Sequence, residues 1–330
     1  MLPVALLGAV ALAAAGTTAA TYSSQAANAG NRVSAAPDFR APTVSAVLIT
    51  KVQTPGSSTG YIRQGGSYRV YAAVSDTGNP ASGTATVTAD VSAFSSGTTA
   101  APLTAGSYTI AGTTYTHRSA ILTASTPVAE GTKSFSFGLA DVALNSATAS
   151  GYSVVVDNTA PAATDVQTTN SGIAGRPTNG DTMIYTYSEP IDPDTVLSGW
   201  DGSSTSVRAD VIDGGSGLLG LGLGAGNDVF TVSPAAGGTN LPLTVGLGTD
   251  DYAYNIVLVL RVVCDATFHS STMAMSASTI TVTLGGSAGC PRTSGPGTMT
   301  YAPTAGPTDR AGNALPTTQR AETGPNDADF

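Results

Sequence analysis

"SYRVYAAVS", residues 67–75, sets Tyr68, Val70, Ala72 and Val74 at every second position. Successive side chains of a strand point to opposite faces, so this spacing predicts a β-strand with one buried face. The same alternation recurs on both sides of it. "TVSAVLITKV" (43–52) precedes it, and Ala85, Val87, Ala89 and Val91 alternate in "GTATVTADVS" (83–92). Phe135, Phe137 and Leu139 continue the pattern in "TKSFSFGLA" (132–140), as do Tyr152, Val154 and Val156 in "GYSVVVD" (151–157). Period-two runs separated by turn residues predict an antiparallel, all-β unit over 43–157. About seven such strands match the size of an immunoglobulin-like β-sandwich.

"VDNTAP" (156–161) is the seam: a strand ends, an Asx-type turn follows, and proline stops continuation. A second strand-rich unit, 158–330, carries "DTMIYTYSEP", "TSVRADVI", "NDVFTVS", "LPLTVGL", "YNIVLVLRVV", "STITVTLGG" and "GTMTYAP" as candidate strands. "GGSGLLGLGLGAGND" (214–228) lacks the Lys-Ser/Thr ending of a phosphate loop and reads as a loop between two strands. The expected architecture is two tandem immunoglobulin-like β-sandwiches.

Composition narrows the function. Only 11% of the 330 residues are charged, the net charge is −9, and the only lysines are Lys51 and Lys133. Long surface helices are disfavoured by that composition. Without a basic patch, binding to nucleic acid or to anionic lipid is not expected. The opening run "MLPVALLGAVALAAAGTTAA" (1–20) has the length and small-residue ending of a signal peptide and is short for a membrane span. No Lys or Arg precedes its apolar core, so a basic segment is expected upstream. The mature chain is therefore expected to be secreted or at the cell surface, with no membrane span and a flexible arm over 21–42. In an exported chain the two cysteines, Cys264 and Cys290, favour a disulfide over a zinc site. That bridge would contribute about 3 kcal/mol by constraining the unfolded chain. "LPTTQ" (315–319) lacks the glycine and apolar tail of a sortase signal.

Candidate chemistry is sparse. Glu189, Asp192 and Asp194 crowd the stretch "YSEPIDPDTV", yet its prolines break the spacing of an EF-hand loop. The favoured reading is a strand that ends and turns. Asp309 in "TDRAGN" (308–313) likewise reads as a turn, with a calcium ion shared between Asp309 and Asp157 at the seam as the alternative. His117, expected at a surface or edge position, and His269 lie in different units without a nucleophile motif, so no catalytic residue is assigned. Lys51 and Lys133 are expected at exposed strand ends rather than in isopeptide crosslinks. Trp200, the only tryptophan, reads first as partly buried packing beside a turn, with a platform for a glycan as the alternative.

Two stretches carry a family resemblance. "IYTYSEPIDPDTVLSGWDGSS" (184–204) resembles the opening of bacterial Ig-like domains of S-layer and other surface proteins, with their FSEP(I/V)DPxTV signature. "YAPTAGPTDRAGN" (301–313) is similar to their closing YxPxxGxxDxAGN. The first unit resembles other surface Ig-like modules through "GYIRQGGSYRVYAAVSD" and "VDNTAP". "AATYSSQAANAGNRVSAAP" (19–37) is similar to the processed N-termini of camelysin-like biofilm-matrix fibre proteins. The resemblance implies a non-catalytic structural or adhesive protein of the bacterial envelope or extracellular matrix, in which the SEP stretch is structural. Its partners would be envelope or matrix components, further copies of itself, or glycans. A carbohydrate-binding accessory module is the alternative, with no cofactor expected beyond calcium.

Overall fold

A computed structural model of the chain describes residues 38–52, 58–78, 80–214, 226–257, 261–289 and 291–330. The expected signal peptide and most of the arm lie outside these residues, as do Cys290 and most of the glycine-rich stretch. The backbone of Cys264 is described and its side chain is not, so the expected disulfide also lies outside them.

The described chain is all-β, in two β-sheet domains. The first uses β1 (Thr43–Lys51), β2 (Tyr61–Ile62), β3 (Ser67–Ser75), β4 (Thr84–Asp90) and β5 (Ala101–Ile110). It continues with β6 (Thr113–Ser119), β7 (Leu122–Thr123), β8 (Gly131–Asp141) and β9 (Ser146–Val156). Their order is β1-β3-β6-β5-β4-β8-β9-β2, with β7 beside β3. β5 joins two layers: its first residues pair with β4 and the rest with β6. The edges then meet, because Gly60 beside β2 donates from its amide to Ile49 O of β1 at 2.9 Å. The sheet is nearly closed, which leaves little free edge.

Tyr68, Val70, Ala72 and Val74 all face the interior, with Val87, Ala89, Val91, Phe135, Phe137, Leu139, Val154 and Val156. Ala85 is exposed, because a register shift between Thr84 and Thr86 interrupts the alternation. The hairpin β5–β6 is where the periodicity was least legible, since β5 is exposed from Thr104 to Ser107. His117 lies on β6 between β3 and β5 and is 8% exposed, so the expected surface or edge position is corrected. Its Nδ1 hydrogen-bonds with Thr116 Oγ1 at 2.9 Å. Within the expected arm Asp38 is buried, and its carboxylate accepts Ser82 N at 2.9 Å.

The second domain begins with β10 (Ala163–Thr169), β11 (Thr182–Tyr187), β12 (Thr205–Ile212), β13 (Val229–Pro234) and β14 (Val245–Gly246). β15 (Tyr254–Val257) and β16 (Arg261–Cys264) pair antiparallel with each other, so the described parts of "YNIVLVLRVV" form two strands rather than one. β17 (Ala266–Ser276), β18 (Thr279–Thr283), β19 (Ala288–Gly289), β20 (Thr300–Tyr301) and β21 (Arg320–Ala321) complete it. The main sheet runs β10-β11-β18-β17-β12-β13-β14-β20-β21, with β19 beside β17. It too nearly closes, through Arg320 Nε donating to Thr164 O at 2.6 Å. Its core stacks Tyr185 and Tyr187 on Tyr301 in edge-on contacts. No described helix is long and apolar enough to cross a membrane.

Candidate functional site

Both domains carry the same polar device at one end. In the first, the end of β8 runs into the turn "DVALN" (141–145). Asp141 accepts the Asn145 amide at 2.8 Å and the Asn145 side-chain nitrogen at 2.7 Å. That nitrogen also reaches the Asp38 carbonyl at 3.2 Å. In the second domain "DRAGN" (309–313) repeats the arrangement. Asp309 accepts the Asn313 amide at 2.8 Å and its Nδ2 at 2.7 Å, and Nδ2 donates to the Asp157 carbonyl at 3.0 Å.

A third carboxylate completes each set, Asp76 after β3 in one and Glu189 after β11 in the other. Asp38, Asp76 and Asp141 each offer an oxygen within 4.8 Å of the others, and so do Asp157, Glu189 and Asp309. The repeat is visible in the chain as "DFRAP" and "DNTAP", "VSD" and "YSE", "DVALN" and "DRAGN". Aligning the two halves makes the repeat visible, in turns that the period-two strand pattern does not mark.

The second set sits at the seam, where Asp157 follows the last strand of the first domain. It joins the two expected candidates, Asp157 and Asp309, and adds Glu189, whose expected role was the turn alone. Asp309 is 1% exposed and its carboxyl is pushed up by burial, against the pull of its Asn313 and Gly312 hydrogen bonds. Glu189 Oε1 is buried without a hydrogen-bond partner. Burial, then the charges of Asp157 and Asp309, push Glu189 up to about 7. Three oxygen donors so placed have two chemical outlets: a shared proton, or a hard divalent cation such as calcium. Three carboxylates alone leave further coordination positions for carbonyls or water.

Beside this set lies the contact between the domains. Lys51, expected at an exposed strand end, is 8% exposed; its Nζ meets Asp192 Oδ2 at 2.5 Å and the Arg310 carbonyl at 2.6 Å. Asp192 is fully buried. It is held where the chain enters a single 3₁₀ turn at Pro193–Thr195, and its amide donates to Thr308 O at 2.7 Å. The prolines of "SEPIDPDTV" thus aim Asp192 at Lys51 as well as turning the chain. Arg310 lies over the Tyr61 ring at 5.7 Å, adding a cation–π contact across the same junction.

The other candidates do not join the site. Trp200 is 4% exposed, and its Nε1 donates to Ser203 O at 2.6 Å, so its ring is core packing and offers no open platform. Lys133 is half-buried on β8 and His269 is exposed on β17. Comparison with known proteins finds no matching family model and no matching curated protein.

Proposed function

We propose that this chain is a non-catalytic structural or adhesive protein, exported to the bacterial envelope or extracellular matrix as two immunoglobulin-like modules in a stiffened tandem. The observation that carries this reading is the junction. A buried Lys51–Asp192 pair and the Asn313 contact to the Asp157 carbonyl tie one module to the next. A catalytic domain has no need of a locked neighbour, whereas a spacer or fibre unit transmits load only if its joints resist bending. Asp157, Glu189 and Asp309 supply the donors for a calcium ion that completes the lock outside the cell, where calcium is abundant.

Export is supported by the leader-like run 1–20, and a structural role by the surface-protein motifs at 184–204 and 301–313. The glycan-binding alternative loses its carrier with Trp200 buried. Fractionation of the native host tests the reading. The mature chain is expected in the envelope or matrix fraction, in high-mass material on an unheated gel. Recovery in the cytoplasm would overturn export, and a soluble monomer in the medium would overturn the structural role.

A further inference from the structure

The segment from Arg320 to Phe330 crosses the second domain and is fastened at both ends. Thr323 binds the Asp165 carboxylate through its amide at 2.8 Å and its hydroxyl at 2.9 Å. Phe330 is 1% exposed against Phe230 and Tyr252; its amide donates to Thr168 Oγ1, and its carbonyl accepts Gly175 N. Between these anchors Glu322, Asp327 and Asp329 each bring one oxygen within 4.8 Å of the others.

Asp329 sets this group apart from an ordinary acidic surface. It is 1% exposed, and its buried carboxylate oxygens meet no amide or hydroxyl donor, only the neighbouring carboxyl of Glu322. An ionised carboxylate in that state is strongly unfavourable unless a counter-charge compensates. Among the described side chains no Lys or Arg pairs with Asp329; the ion pairs there are Lys51–Asp192 and Arg208–Asp210. Neighbouring contacts hold the other two donors in place. Glu322 accepts the Met299 amide at 2.7 Å, and Asp327 O accepts Gly297 N at 2.8 Å. The Asp327 side chain remains exposed, which leaves an open approach from solvent.

We propose that Glu322, Asp327 and Asp329 form a divalent-cation site, separate from the seam, that pins the 320–330 segment onto the second domain. All three donors are oxygen and none is nitrogen or sulfur, so the class of ion is hard: calcium before zinc or copper. Two protein-anchored carboxylates and one solvent-facing carboxylate suit calcium, which accepts irregular coordination, better than magnesium, which demands near-octahedral geometry.

The test uses the full chain, stripped with chelator and titrated with terbium in an E189Q background, which removes one ligand of the seam set. Tyr252 is the antenna, because its hydroxyl lies 3.0 Å from the Asp329 carbonyl. Saturable tyrosine-sensitised emission is expected, displaced by calcium, weakened at least tenfold in D327N and abolished in D329N. D327N changes an exposed side chain, so its fold is expected to survive. In parallel, calcium is expected to slow hydrogen exchange across 322–330 in the E189Q chain and to leave it unchanged in D327N. Emission equal in D327N, D329N and their parent, or no sensitised emission, would overturn the site and leave shared protons as the means of neutralising Asp329.

Discussion

The two acidic heads share a backbone plan and differ in who satisfies the charge. In the first, local amides and hydroxyls do it. Asp76 accepts Gly83 N at 2.6 Å and Gly78 N at 3.1 Å, while Asp38 accepts Arg40 N and the amide and hydroxyl of Ser82. Those hydrogen bonds, led by the Arg40 and Ser82 amides, hold the Asp38 carboxyl below its ordinary range. In the second, Glu189 replaces Asp76, keeps a buried oxygen without a donor, and is pushed up to about 7. One head is satisfied by its own amides and hydroxyls; the other leaves a Glu189 oxygen to a shared proton or a cation. A repeated motif therefore does not repeat its chemistry, because the loop after the third carboxylate decides whether donors arrive.

The sharpest way to break the comparison is at Lys51, which reaches only the second head. Lys51→Met removes the charge that neutralises Asp192, and losing one member of a buried pair costs about 3–5 kcal/mol. Urea unfolding is expected to show that loss, with the two domains unfolding in separate transitions. The double variant K51M/D192L should recover most of it, since a buried pair replaced by apolar groups is often neutral. A large loss in the double variant would mean that geometry other than the pair holds the junction.

The third carboxylates should respond with opposite signs. Asp76→Asn gives up the acceptor for Gly83 N and is expected to cost about 1 kcal/mol, with or without calcium. Glu189→Gln in chelator removes a crowded carboxylate and is expected to raise stability. In calcium the order reverses, because the wild-type chain gains the ion and the variant binds it weakly. Thermal melts of both variants with calcium and with chelator decide it. Parallel behaviour of the two variants would erase the distinction between the heads.

Most of the fold was legible because burial on one face of a strand writes itself as period two. Tyr68, Val70, Ala72 and Val74 needed nothing else. The parts that were not legible have separate causes. β5 shows no alternation because its mid-section faces solvent on both sides. "YNIVLVLRVV" is an apolar run broken only by Asn255 and Arg261, so neither period nor a turn residue separates β15 from β16. At the site, the sequence marks Asp157 and Asp309 as turn carboxylates, with a shared calcium ion as the alternative, and does not show their oxygens converging. Glu189 reads only as part of a strand end, because its neighbours at the site are two residues far away in the chain. Lys51 looked like a strand end meeting water; its burial depends on a neighbour domain that no local pattern announces.

Acidity gives a second handle on the heads. Glu189 titrates near 7 in the folded chain against an ordinary value of 4.5, so the fold binds this proton more tightly than the unfolded chain does. The stability from that proton is whole below 4.5 and is lost as the pH rises through 7. In chelator, the melting temperature should therefore fall across that window, and Glu189→Gln should flatten the fall. Calcium should flatten it too, by replacing the proton with an ion that favours the ionised set. The Asp38 carboxyl has the opposite sense: its contribution is present above its ordinary range and disappears only as the solution becomes strongly acid.

The smallest difference lies in one backbone position. Gly312 in "DRAGN" has φ 95°, and its counterpart in "DVALN" is Leu144 at φ 69°, a side chain that is 86% exposed. Both residues occupy the left-handed conformation that lets the following Asn turn back onto the Asp. Glycine adopts it freely, whereas leucine loses about 1–2 kcal/mol to the clash of Cβ with the backbone. Leu144→Gly should recover part of that, offset by the roughly 0.5–1 kcal/mol of extra chain entropy that glycine loses on folding. A net gain of about 0.5 kcal/mol is expected, with Gly312→Ala losing about 1 kcal/mol. If Leu144→Gly instead destabilises the first domain, the leucine side chain does something in the assembled protein that its exposure here does not reveal, and an interaction at this end of the first domain becomes the next thing to look for.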